Sequence, residues 1–161
     1  MTLNPLEWIW KRPPTRVGRR RHNDVRTALA GDYAELLRLA GQIRAHGALA
    51  PYAYVRDQLS QMAQGKEERA ALLRAKVAPL GDIGADQAAE PYVGRNHWER
   101  MVRDLEEQRD LEDQLVSDLI FAEEKSPEIG ELLREIIAGE RADREVLAEM
   151  LAKADPQATQ S

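Results

Sequence analysis

The chain of 161 residues contains no cysteine and only one phenylalanine, and aromatic residues make up 5% of it. The absence of cysteine excludes disulfide bonds, thiolate zinc sites, iron–sulfur clusters and cysteine nucleophiles. No apolar run approaches the ~18 residues of a membrane-spanning helix, and the first residues lack the basic-then-apolar order of a signal peptide. We therefore expect a cytoplasmic protein, with peripheral membrane attachment left open by the basic segment described below.

Apolar residues account for 43% of the chain and charged residues for 32%, and alanine, leucine, glutamate and arginine dominate. This composition and the 3.6-residue spacing of apolar residues predict an all-α fold with four helices. The expected spans are about 24–46, 51–79, 96–125 and 127–155. Asn96 and Ser126 are predicted N-caps, and Gly47 is the predicted stop of the first helix. The predicted apolar face of the third helix comprises Trp98, Val102, Leu105, Val116, Leu119 and Ile120.

The predicted organisation is a four-helix bundle over residues 24–155, followed by a disordered tail at 156–161. Leu80 to Arg95 form a connector of roughly 16 residues, which reaches about 50 Å when extended. That length permits a long crossover between helices 2 and 3, and an up-down-up-down bundle also stays open. A third possibility, an unrelated adaptor bundle, would be favoured if helices 2 and 3 were antiparallel neighbours joined by a local loop.

Residues 1–23 form an irregular, basic N-terminal arm. The first 26 residues carry five net positive charges, and the remaining 135 carry ten net negative charges. Clustered cations with tryptophan suit docking on a protein partner or an anionic membrane surface. The alternative is that the tryptophans cover the bundle's own core, and nucleic acid is disfavoured by the acidic remainder. The predicted docking residues are Trp8, Trp10, Lys11, Arg12, Arg19, Arg20 and Arg21.

Polar residues interrupt the apolar face of every predicted helix near its middle. Pairs spaced three or four apart lie on one helix face, so these residues are expected to meet inside the bundle. They are Asp32 on the first helix, Lys66 and Arg69 on the second, Gln108 and Glu112 on the third, and Glu140 and Asp143 on the fourth.

The stretches Lys66–Leu73 and Glu140–Leu147 resemble the second and fourth helices of the ferritin-like superfamily, in its rubrerythrin branch. The similarity extends over about residues 24–154 and implies a ferritin-like bundle with a di-metal centre. Lys66 and Arg69 stand where the family has Glu and His, and Asp143 stands where it has His. Fixed cations repel a divalent metal, so an internal layer of ion pairs is the first hypothesis. Partly exposed charges on the bundle flank are the second.

The resulting functional prediction is a bundle that has lost its di-iron site, holds no cofactor, and acts as a non-catalytic structural or binding protein. The alternative is an iron or manganese oxidoreductase or iron-handling protein, with a site formed by Asp32, Glu112, Glu140 and Asp143. The three histidines, His22, His46 and His97, lie near predicted helix ends and are expected to be capping or surface residues. A homodimer through an exposed stripe, such as Leu37 or Leu72 with Leu132, is a further expectation.

Overall fold

A computed structural model describes residues 24–81 and 89–154, and all regular secondary structure in these ranges is helical, with no strand. Helix α1 spans Val25–Leu49, α2 spans Ala53–Val77, α3 spans His97–Glu123 and α4 spans Pro127–Lys153, with a short 3₁₀ helix at Ala78–Leu80. The prediction of an all-α fold with four long helices is confirmed. The predicted docking arm and the predicted tail lie outside the described residues.

Side-chain caps begin three of the helices. Asp24 accepts a hydrogen bond from the backbone N–H of Arg26, and Asn96 accepts one from that of Glu99, both at 2.8 Å. Ser126 accepts from Ile129 at 3.5 Å, and Pro127 follows it in the first turn. Such caps satisfy N–H groups that have no partner within the helix. Asn96 and Ser126 therefore begin their helices as the sequence predicted.

Gly47 does not end the first helix, which continues to Leu49. A Cβ atom at this position would lie 3.2 Å from the Cβ of Leu59 on α2. The glycine therefore serves the close approach of α1 and α2, and the prediction that it stops the helix is wrong.

Each helix packs on two neighbours: α1 on α2 and α3, and α4 on α3 and α2. Contacts between α1 and α3 run from Asp32–Gln114 to Gln42–Asp104, so these two helices are antiparallel. The helices α2 and α4 are antiparallel by the same reasoning, because their ion pairs run from Lys76–Glu128 to Lys66–Asp143. Because short turns join α1 to α2 and α3 to α4, α2 and α3 run parallel across the diagonal. They are not antiparallel neighbours, the arrangement that would favour an adaptor bundle.

The buried face of α3 differs from the predicted one. Ile120 is 64% exposed, and Trp98, Val102, Val116 and Leu119 are only partly buried. The face that points into the bundle carries three fully buried polar residues. Leu105 and Gln108, which were predicted to face inward, are buried, so the prediction holds for part of this face and fails at Ile120. The buried polar residues in question are Asp104, Gln108 and Asp118.

Candidate functional site

Lys66 is fully buried near the middle of α2. Its ammonium group donates to Gln108 Oε1 at 2.6 Å, to Asp143 Oδ2 at 3.0 Å and to Glu140 Oε2. These three acceptors use all three N–H groups of the lysine. A charge that is fully removed from water is thus fully hydrogen-bonded, as a buried cation requires.

Arg69, one turn further along α2, contacts the same two acidic side chains. Its Nε donates to Glu140 Oε1 at 2.7 Å, and its Nη2 donates to Asp143 Oδ2. Gly139 on α4 provides the space, because a Cβ atom there would lie 2.8 Å from Nη1 of Arg69. The absence of a side chain at position 139 therefore lets the guanidinium group lie flat against α4.

Gln108 connects α3 to these pairs. Its Nε2 donates to Glu140 Oε2 at 2.7 Å and to the Glu140 carbonyl at 2.9 Å, while its Oε1 accepts from Lys66. Every polar atom of the amide is used, and the neighbours fix which end is oxygen. We call the five residues the central cluster: Lys66, Arg69, Gln108, Glu140 and Asp143.

The central cluster holds two cations and two carboxylates, so its formal charge is zero. Burial raises the pKa of Glu140, but the positive charges of Lys66 and Arg69 lower it further, and the net shift is downward. For Asp143, burial is the largest effect and the charge of Glu140 adds to it, so the net shift of the pKa is upward despite the same two cations. Glu140 is therefore the carboxylate that the cluster holds firmly ionised.

The other two residues predicted for this layer have different partners. Glu112 accepts from Arg144 at 3.0 Å, and burial raises its pKa, with the nearby charge of Glu140 adding to the rise. Asp32 is fully buried and accepts from Gln114 at 2.7 Å, in the seam between α1 and α3. The layer thus falls into a central cluster on α2, α3 and α4 and separate contacts at its margins. Helix α1 does not contribute to the central cluster, because its main packing partners are α2 and α3.

The residues at the centre do not fit a di-metal site of the ferritin-like type. Both oxygens of Glu140 already accept from cationic or amide groups, and Lys66 and Arg69 place positive charge against them. In the described ranges, no group of three histidine, aspartate or glutamate side chains is arranged to hold a metal ion. Protonated lysine and arginine are not metal ligands and repel a divalent ion.

A second buried polar group, which the sequence analysis missed, lies at the end of α1. His46 Nδ1 and Asp104 Oδ2 are 2.7 Å apart, and the side chains are 1% and 0% exposed. Gln42 donates to Asp104 at 2.9 Å and to Glu107 at 2.8 Å. His97 is also buried, at 8% exposure. The expectation that His46 and His97 are capping or surface residues is therefore wrong.

A sequence signal for this group does exist. Gln42 and His46 are four residues apart, as Asp104 and Gln108 are, so each pair shares a helix face. The histidine was assigned to a helix end because the first helix was predicted to stop at Gly47, one residue later. With α1 extended to Leu49, His46 falls on the face that packs against α3.

The sequence matches no model of a known protein family and no curated protein. Within the parts of the chain that the structure covers, no helix combines the length and the apolar character needed to cross a membrane.

Proposed function

We propose that this chain is a ferritin-like bundle in which fixed side-chain cations stand where the relatives hold metal ions, and that it acts as a non-catalytic structural or binding protein. The observation that supports this most is the fully buried ammonium of Lys66, bonded to Glu140, Asp143 and Gln108. Carboxylates engaged in this way are not available as metal ligands, so the chemistry of a di-metal centre has no donor set here.

The ferritin-like topology is part of the proposal. Gly81, after α2, lies beside Arg26, where a Cβ atom would be 3.0 Å from Cδ of that arginine. Tyr92, before α3, is bonded to His46. Residues 26 and 46 are about 30 Å apart along α1, at 1.5 Å per residue. A connection that crosses the length of the bundle between α2 and α3 is what the ferritin-like arrangement requires.

The binding role is assigned to the N-terminal arm, residues 1–23, through its Trp8 and Trp10 and its clustered arginines. An arm of net positive charge joined to an acidic bundle suits a protein partner with an acidic surface or an anionic membrane. Homodimerisation through exposed Leu72, which is 52% exposed on α2, is a separate part of the proposal.

Metal content tests the loss of the di-metal centre. The full chain is produced in cultures supplemented with iron and with manganese, purified without chelators, and measured by inductively coupled plasma mass spectrometry. We expect both metals well below one ion per chain, and the same result for Glu140→Gln. As a positive control, the variant Lys66→Glu/Arg69→His/Asp143→His supplies the ligand types that the relatives use, and it should bind more metal than the wild type.

Near-stoichiometric iron or manganese in the wild type, lost on Glu140→Gln, would instead support an iron or manganese oxidoreductase or iron-handling protein.

The arm is tested by sedimentation with vesicles of phosphatidylserine and of phosphatidylcholine. A variant with Arg19, Arg20 and Arg21 changed to glutamine is the matched control. Binding to the anionic vesicles alone, lost in the variant, supports membrane docking. Absence of binding to both kinds of vesicle favours a protein partner for the arm.

A further inference from the structure

The segment that leads into α3 is attached to the end of α1 through the backbone of Tyr92. Its carbonyl oxygen contacts His46 Nε2, and its N–H donates to Gln42 Oε1 at 3.3 Å. Gln42 is oriented by its donation to Asp104 and Glu107, so its oxygen is left facing Tyr92. Because the second contact is long, the bond to His46 is the stronger of the two attachments.

His46 faces an acceptor at each ring nitrogen: the Asp104 carboxylate at Nδ1 and the Tyr92 carbonyl at Nε2. A carbonyl oxygen can only accept, and an ionised carboxylate can only accept. With Asp104 ionised, both contacts are therefore hydrogen bonds only while the imidazole carries both protons; burial raises the pKa of Asp104, and the hydrogen bond and charge of His46 oppose that rise. A neutral imidazole has one N–H, and it would turn a lone pair toward one of the two oxygens.

We infer that His46 is a pH-sensitive latch: its doubly protonated ring fixes residues 89–96 to the end of α1, and it releases the Tyr92 carbonyl when it loses a proton. Asp104 retains the remaining N–H at Nδ1, because a buried charged acceptor binds it more strongly than a carbonyl does. The contact that opens is thus the one to Tyr92, and α1 and α3 stay joined through Asp104.

The charged groups around the latch come mainly from α3. They are Asp104, whose charge favours the imidazolium, Arg100, whose charge opposes it, and Glu107, which is joined to the pair through Gln42. His97, also on α3, interacts electrostatically with His46, and its own pKa is lowered by burial and by Arg100. The connecting segment contributes the Tyr92 ring, edge-on at 6.5 Å between ring centroids. On the α2 side, Arg56 donates to the Ala50 carbonyl at 3.1 Å, just beyond the end of α1.

The balance of these groups favours the protonated imidazole and so the closed latch. Burial lowers the pKa of His46, whereas the hydrogen bond and the charge of Asp104 raise it. The raising effects prevail, so the pKa of His46 in the folded protein lies above the ordinary 6.5. A raised histidine pKa contributes stability that is fully present below the unfolded value and is lost as pH rises through the folded value. The latch therefore opens as pH rises through the folded-state pKa of His46.

Amide hydrogen exchange in the full chain, followed by NMR from pH 6 to pH 9 together with the His46 ring signals, tests the latch. Exchange rates are divided by the intrinsic rates at each pH. We expect the protection of the Tyr92 amide to fall as the ring titrates, by tenfold for each pKa unit of coupling between the ring and the closed segment. The Leu36 amide, in the centre of α1, should keep its protection.

Two variants separate the latch from a purely structural role. In His46→Gln, the Tyr92 amide should exchange with no pH dependence beyond the intrinsic one, whereas His97→Asn should keep the wild-type profile. In Asp104→Asn, which retains an acceptor at nearly the same size, the midpoint should move to lower pH because the favourable charge is lost. A His46 ring that does not titrate between pH 6 and pH 9, a Tyr92 amide that ignores its titration, or an unchanged midpoint in Asp104→Asn would overturn the inference.

Discussion

Replacing Lys66 with methionine removes one buried charge while keeping a side chain of similar length. In the wild type, the ammonium bonds to Glu140, Asp143 and Gln108 inside a cluster of zero formal charge. Without it, two carboxylates face only the guanidinium of Arg69, and one negative charge is left uncompensated. Breaking a buried ion pair by removing one partner costs about 3–5 kcal/mol. We expect the free energy of unfolding to fall by that amount.

Urea unfolding followed by circular dichroism at pH 7 measures this loss. With a slope of about 2 kcal/mol per molar urea, the midpoint should fall by about 2 M. Lys76→Met is the matched control on the same helix. Lys76 is 42% exposed and pairs with a largely exposed Glu128 at 3.4 Å. Exposed pairs of this kind are worth about 0–1 kcal/mol, so the control should barely move the midpoint.

The pH dependence distinguishes a lost ion pair from a packing defect. The folded-state pKa of Glu140 is depressed, so its contribution is fully present above the unfolded value of 4.5 and is lost as pH falls through the folded value. Removing Lys66 takes away the largest of the charges that lower this pKa, so the folded-state pKa of Glu140 rises in the variant. The difference between wild type and Lys66→Met should therefore narrow as pH falls from 7 toward 4.5.

A loss in Lys66→Met no larger than that in Lys76→Met would refute the reasoning, because it would mean that the ammonium is not held inside the bundle. A large loss that is the same at pH 7 and pH 5 would attribute the effect to packing instead of charge.

Two comparisons of glycine substitutions test the packing beside the cluster and between α1 and α2. Gly41→Ala has open space around its Cβ and should stabilise the chain by roughly 0.5–1 kcal/mol. Gly47→Ala places a Cβ 3.2 Å from that of Leu59, so its thermal unfolding temperature should stay the same or fall. Gly139→Ala should destabilise the wild type, since its Cβ would meet the Arg69 guanidinium at 2.8 Å, and should stabilise the Arg69→Ala background by about 1 kcal/mol. Equal effects of Gly139→Ala in the two backgrounds would show that Arg69 does not occupy that space.

The sequence by itself determined the class of fold and most of the helix boundaries, because these depend on local physics. The 3.6-residue apolar spacing and the caps at Asn96 and Ser126 act within one or two turns and can be seen in the residue order. The same local reasoning singled out Lys66 and Glu140, since each interrupts an apolar face of its own helix.

Only the tertiary structure decided which polar groups meet, because a hydrogen bond between helices depends on their order, direction and register. Lys66 and Glu140 are 74 residues apart, and His46 and Asp104 are 58 apart. No local pattern specifies that α1 packs on α3 and not on α4, yet that choice places Asp32 beside Gln114 and away from the central cluster. The burial of His46 was likewise decided by the packing of α1 on α3, which places its ring beside Asp104.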